Sequence, residues 1–223
     1  TSVGHDGAGG VISAYRSGSS EIRINRLDGV TGDRLWNGAS GLQVTTTAGG
    51  PPHVVADGLG GAWIAWYDTR TTGSGTGLWV THYDADGNPL YSSGARIVGN
   101  ISPDPNGDLI DVDATPNGDL IYGCHLHTGV WTQRILLTGN LGPFARVAND
   151  GTISRIQVMA DGDGSVVTWA TFRNGDHGIW ANRMNSAGTV LWGTEGKQVM
   201  NRGTGSAPAQ HVSVWRSGYL FVA

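Results

Sequence analysis

Short apolar runs alternate with Gly, Asp and Asn turns along the chain, and the pattern is clearest between Pro52 and Val98. There the text PHVVADGLGGAWIAWYDTRTTGSGTGLWVTHYDADGNPLYSSGARIV holds three runs rich in β-branched and aromatic residues and a shorter fourth. Runs of this kind, bounded by turn residues, predict β-strands. The same text recurs. Turns begin at Asp6, Asp57, Thr115, Asp161 and, in a shortened copy, Arg216. Three residues before the first four turns stand Val3, Val54, Val112 and Val158, and Val212 takes that place in the fifth copy. On the third run of each copy Arg26, His82, Arg134 and Arg183 align, with Trp79, Trp131 and Trp180 in a neighbouring column. A further aromatic column follows the next turn, at Trp36, Tyr91, Phe144 and Trp192.

Each copy therefore predicts four strands, with a period of about 50 residues, which marks the blade of an all-β, β-propeller fold. One such sheet cannot bury both faces alone, whereas stacked copies pack their Val and Trp columns against each other. No window sustains the i, i+3, i+4, i+7 spacing of a helix, and 37 glycines would destabilise one. A β-helix fits less well, because its rungs are shorter. The expected blades span residues 1–49, 50–100, 101–150 and 151–203, with a partial blade at 204–223. In the first, strands are expected near Ser2–His5, Val11–Arg16, Glu21–Leu27 and Leu42–Thr45. The third departs most, with Pro105 and Pro116 near its first strand and no Trp on its second. The fifth copy stops inside its second strand. That ending is read as a fragment of a longer chain, with pairing of the half-blade to another protomer as the alternative, since an open strand edge invites association.

Composition narrows the function classes. A net charge of −4 and only 14 Lys plus Arg, with no run of them, argue against a nucleic-acid partner. No stretch is long and apolar enough for a membrane span, and nothing at the N-terminus has the form of a signal peptide. The single cysteine, Cys124, excludes an intrachain disulfide and is expected to be a buried, inert thiol.

The text DGLGGAWIAWYDTR, then GLWVTHYDADGNPLY, then SGARIV resembles blade repeats of large secreted and cell-surface proteins of bacteria. Those repeats join an Asp-Gly-x-Gly-Gly turn, a strand ending in Trp-x-Asp-x-Arg and an Asp-x-x-Gly-x-x-x-Trp turn. The second copy carries Trp66, Asp68 and Arg70 in that pattern. The fourth keeps Trp169 and Arg173 but has Thr171 for the Asp, the first has Tyr15 for the Trp, and the third has none of the three. The resemblance covers nearly the whole chain. It implies an extracellular or surface setting and a scaffold used for binding or display, not a particular activity.

Four sets of residues invite chemistry. A polar column precedes the repeated Val, at Ser2, His53, Asp111, Gln157 and His211; if those strands are innermost, the five side chains ring a central channel. Two imidazoles and a carboxylate there suit acid–base work or ligand binding, against the plainer reading of wetted channel positions. The Asp-rich turns Asp84–Asn88 and Asp161–Gly164 look like pieces of calcium loops, yet neither continues to a further acidic ligand, and Asp and Gly are ordinary turn residues. His125 and His127 beside Cys124 form a His-x-His pair without a third metal ligand at a convincing spacing. The Trp79, Trp131 and Trp180 column, with Arg26, Arg134 and Arg183, suits sugar stacking or simply the packing of one blade on the next.

No nucleophile constellation, phosphate loop or catalytic residue is assigned. The expected function is a non-catalytic binding, adhesion or structural module, directed at glycan or another surface protein. The alternatives are a polysaccharide hydrolase or lyase using the channel residues, and a subunit that self-assembles through its incomplete blade. No cofactor and no metal site are expected, with calcium at the Asp-rich turns as the alternative.

Overall fold

The computed structural model describes residues 1–36, 38–68, 70, 77–99, 109–126, 129–150, 153–173, 175–204, 213–216 and 218–223. Strands β1 (Ser2–His5), β2 (Val11–Ser17), β3 (Glu21–Leu27) and β4 (Leu42–Thr45) form the first sheet, and β5 (His53–Ala56), β6 (Ala62–Asp68), β7 (Gly77–Tyr83) and β8 (Ala95–Gly99) the second. The third holds β9 (Ile110–Ala114), β10 (Leu120–Leu126), β11 (Gly129–Ile135) and β12 (Ala145–Ala148), and the fourth β13 (Ile153–Asp161), β14 (Gly164–Arg173), β15 (Asp176–Met184) and β16 (Lys197–Gly203). A fifth, two-stranded sheet pairs β17 (Ser213–Arg216) with β18 (Tyr219–Val222). Each sheet is an antiparallel meander, the blade of a β-propeller fold. A 3-10 turn at Gly38–Ser40 is the sole helical element among the described residues. No helix is long and apolar enough to cross a membrane. Pro105 lies outside the described residues.

The chain divides into two compact units, Thr1–Gly107 with Pro116–Gly118, and Asp108–Thr115 with Asp119–Ala223. In the first, Ile12, Ile24, Val44, Val54, Ile64, Trp66 and Trp79 share one core. In the second, Ile121, Val130, Val147, Ile156, Val158, Val167 and Trp169 share another. Strand β6, AWIAWYD, is buried at every position. A strand without a solvent side runs apolar instead of alternating.

Where the repeat departs from itself, the departures compensate. In the first sheet the Asp6 carboxylate bonds the Ala8 and Gly10 amides (2.8 and 2.6 Å) and pairs with Arg26 Nε at 2.8 Å. In the second, Asp57 holds Leu59, Gly61 and His82 in the same way. A Cβ built on Gly10 or Gly61 would stand 2.5 or 2.6 Å from that carboxylate. The third copy has Thr115 at the Asp position and Asp119 at the Gly position. The carboxylate now enters from the far side of the turn: Asp119 pairs with Arg134, and the Thr115 hydroxyl accepts the Asp119 amide at 3.1 Å.

A second exchange sits at the outer end of the sheets. Asp68 accepts Trp66 Nε1 (2.7 Å), Thr47 Oγ1 (3.0 Å) and Arg70 Nη2 (2.6 Å). The fourth copy has Thr171 in place of Asp68, and Asp150 in place of Thr47. Asp150 then accepts Trp169 Nε1 (3.0 Å), Thr171 Oγ1 (2.9 Å) and Arg173 Nη2 (3.0 Å). Carboxylate and hydroxyl have traded positions, and the cluster is otherwise rebuilt.

A third exchange is apolar. Trp66 and Trp169 fill space directly above Gly94 and Gly196, where a Cβ would stand 2.3 and 2.7 Å from the indole rings. Both glycines also have positive φ, 73° in each case. The third copy has Cys124 at the Trp position and Phe144 at the Gly position, and Phe144 stacks on Trp131 with centroids 4.7 Å apart.

Two alignments made from sequence are corrected by pairing. Isolated bridges join Leu27 to Arg34, Tyr83 to Pro89, Ile135 to Leu141 and Met184 to Val190. Two residues on from each lie Trp36, Tyr91, Pro143 and Trp192, so Pro143, not Phe144, belongs to that column. In the last hairpin Arg216 pairs with Tyr219, as Asp161 pairs with Gly164, which aligns Ser213, not Val212, with Val158. The final turn is as short as the fourth copy's, so no extra shift is needed.

The exchange at Asp150 is testable by thermal and denaturant unfolding. Asp150→Thr leaves Arg173 and Trp169 without their buried acceptor and is expected to cost roughly 3 kcal/mol. Thr171→Asp alone places two carboxylates together and also destabilises. The double variant reproduces the Thr47/Asp68 arrangement and is expected to recover most of the loss; additive losses would contradict the exchange.

Candidate functional site

The first strand of each sheet is an edge, so alternate N–H groups point away from the sheet and need partners if buried. The polar column supplies them. Ser2 Oγ accepts the Val54 amide at 3.1 Å in the first unit. In the second, Asp111 Oδ2 accepts Val158 N–H (2.9 Å) and Gln157 Oε1 accepts Ser213 N–H (2.8 Å). Asp113, two residues beyond Asp111 and on the same face of β9, accepts Ala160 N–H at 2.7 Å. Each bond crosses from one sheet to the edge strand of the next. His53 is half-buried on β5, opposite Ala65. His211 lies outside the described residues. The column is thus divided, with Ser2 and His53 in one unit and Asp111 and Gln157 in the other.

Electrostatically, Asp111 stands apart. Burial pushes its carboxyl up to about 7, with the nearby Asp113 adding to the rise, against the backbone N–H bonds and Arg155, which favour the anion. Burial raises Asp113 as well. The turn carboxylates go the other way. Burial opposes ionisation of Asp6, Asp57 and Asp68, but backbone amides and a cationic or imidazole partner outweigh it and hold all three below the usual range. The chain therefore keeps two kinds of carboxyl: rim groups fixed as anions, and a β9 pair biased towards the neutral acid.

Cys124 is fully buried and its thiol is pushed up to about 12, which leaves it unreactive at neutral pH. His125 lies on β10, and His127 is outside the described residues. Asp84 closes its own turn by accepting the Asp86 and Asn88 amides, and Asp161 is held by Arg183 and Trp215. Among the described residues no group of three His, Cys, Asp or Glu side chains is placed to hold a metal. The Arg column pairs with turn acids, as Arg26–Asp6, Arg134–Asp119 and Arg183–Asp161. The guanidinium groups over the Trp column come from another strand: Arg70 lies 3.8 Å over Trp79, and Arg173 4.3 Å over Trp180. Sequence reasoning singled out Asp111 but missed Asp113 and Asp150. The spacing of Asp113 from Asp111 on a strand was the available signal for the first; Asp150 had none, because its partners are about 20 residues away in sequence.

No protein-family model and no curated protein matches the chain. Among solved structures, an endo-arabinase from Bacteroides thetaiotaomicron VPI-5482 is 12% identical with a TM-score of 0.47, over 96% of this chain and 84% of that one. An exo-1,5-alpha-L-arabinanase from a bovine ruminal metagenomic library is 8% identical with a TM-score of 0.45, over 99% and 85%. The PQQ-bound aldose sugar dehydrogenase from Streptomyces coelicolor is 13% identical with a TM-score of 0.38, over 78% and 64%. At these distances the likeness carries no argument about this chain's chemistry.

The two kinds of carboxyl predict a domed pH profile of stability. The raised β9 groups bind more protons folded than unfolded, so their contribution is full below the usual carboxylate range and is lost as pH rises towards about 7. The lowered Asp6, Asp57 and Asp68 contribute above that range and fail as pH falls through their folded values. Melting temperature is expected to be higher at pH 5 than at pH 8, and Asp111→Asn to flatten that decline. A decline unchanged in the variant would refute the assignment.

Proposed function

We propose that this chain acts on polysaccharide by cleaving glycosidic bonds, with Asp111 as its acid–base group. The observation that supports this reading is the carboxyl pair on β9, where burial and the neighbouring Asp113 bias Asp111 towards the neutral acid near pH 7. Departure of a glycosidic oxygen needs a proton at that oxygen, and a carboxyl protonated near the working pH supplies it. His53 belongs to the other unit and His211 is outside the described residues, so the proposal rests on Asp111 and takes no role from the imidazoles. An extracellular or cell-surface setting accompanies it, since that is where polysaccharide is met.

Retention of a glycan without turnover is the second reading, and a different observation favours it. Ser2, Asp111 and Gln157 each accept an edge-strand amide, so each already has a structural task. The two readings part on activity.

Release of reducing ends from a panel of polysaccharides, with arabinan among them because two similar folds are named for it, decides between them. The expected result is turnover that falls as pH rises past about 7, and a loss of at least about 100-fold in Asp111→Asn, while the variant keeps its circular dichroism and cooperative melting. Binding with no turnover of any substrate would establish retention instead. Turnover unaffected in Asp111→Asn would remove Asp111 from the chemistry.

A further inference from the structure

The exchange that puts Cys124 for Trp and Phe144 for Gly leaves something in the third sheet that the others lack. Trp66 and Trp169 are fully buried, Trp79 is 8% exposed beneath Arg70, and Trp180 lies beneath Arg173. Those two arginines are neutralised by Asp68 and Asp150. In the third sheet an aromatic partner comes from Phe144, the residue just before β12. Phe144 stacks on Trp131 almost in parallel, 10° between planes, and remains 39% exposed. Arg146, exposed and next but one to Phe144, holds its guanidinium 5.9 Å from the Trp131 ring. Among the described residues no carboxylate pairs with it. Leu141, 57% exposed, lies on the same connection.

We propose that the Trp131–Phe144 stack and Arg146 form a surface subsite for a carboxylated polysaccharide, such as one built from uronic acids. The stack offers a flat apolar plate about the size of a sugar ring, onto which the C–H face of a pyranose packs with loss of water from both. Arg146 supplies a planar cation whose N–H pairs match a carboxylate, and its charge is not cancelled locally. Charge complementarity thus selects the occupant. A neutral glycan would use the plate alone and gain nothing from the guanidinium. Gly129 belongs to the same device: a Cβ there would stand 2.8 Å from Trp131 Nε1 and 3.2 Å from Arg146 Cδ, so glycine leaves room for both side chains. The inference rests on the polysaccharide-directed reading above but uses none of its catalytic residues.

The test uses the full chain with polygalacturonate and, separately, linear arabinan as probes, in affinity electrophoresis and calorimetry. Trp131 is partly packed in the sheet, so the informative variants are Phe144→Ser and Arg146→Gln, each checked for unchanged melting. Binding of polygalacturonate by the wild type, weakened about tenfold or more in each variant and reduced by added salt, is the expected result. Equal binding by wild type and variants would overturn the subsite while leaving the proposed activity intact. Binding of arabinan but not polygalacturonate would overturn its selectivity for carboxylate. No binding of either would overturn the subsite, while the proposed function stands or falls separately on release of reducing ends across the polysaccharide panel.

Discussion

A four-stranded sheet packed on both faces must satisfy the outward N–H groups of its edge strand without water, and the rest of this structure depends on how that is done. Here the preceding sheet reaches across. A hydroxyl from Ser2, carboxyls from Asp111 and Asp113 and an amide from Gln157 take the amides of Val54, Val158, Ala160 and Ser213. Each bond fixes the register between two sheets as well as removing an unsatisfied donor. Val54 and Val158, whose amides are taken in this way, can then be buried. Val54 and Val158 are 7% and 4% exposed.

The same requirement explains why the repeat tolerates its own irregularities. What each sheet conserves is not a residue at a position but a carboxylate, a hydroxyl or a ring in a volume. Asp119 stands in for the Asp of the turn and Asp150 for the Asp of the Trp–Asp–Arg cluster, while Phe144, at the Gly position of the sheet that lacks the indole, stacks on Trp131. In each case the partner position changes in concert: Gly to Asp as Asp becomes Thr, Thr to Asp as Asp becomes Thr, Gly to Phe as Trp becomes Cys. Two large or two charged groups cannot share one of these volumes, and an empty one leaves an orphaned arginine or a cavity.

This bears on how much was legible in the sequence. Strand positions, the four-strand unit and the Val and Trp columns could be read directly, because strand periodicity and turn chemistry are local. The first-sheet strands fall where the pattern put them, at Ser2–His5 and Glu21–Leu27 among others. What could not be read were the compensations, since Asp150 lies beyond the end of β12 and Thr171 on β14, and the two meet only in the folded chain. Phe144 was placed in the wrong column because its connection is aromatic at the expected distance, and only the Ile135–Leu141 bridge shows that Pro143 holds that register. The last hairpin is offset by one residue for a similar reason: its text reads as a shortened turn, but its pairing matches the fourth copy's. The polar column was visible in sequence as a row of side chains, but its bonds to the next sheet's amides were not.

The proposed functional features follow from departures of this kind. Asp111 is the one column member whose carboxyl is driven towards neutrality, and the third sheet carries a parallel Trp–Phe stack whose Phe144 reaches solvent. Both are consequences of a scaffold that holds its seams by side chains, so that a change of side chain alters chemistry without altering topology. Amide hydrogen exchange at Val54, Val158, Ala160 and Ser213 tests that central claim most directly. These amides point away from their own sheets, and the account predicts that they exchange as slowly as amides inside the strand ladders. Exchange at the rate of open edge-strand amides would contradict it.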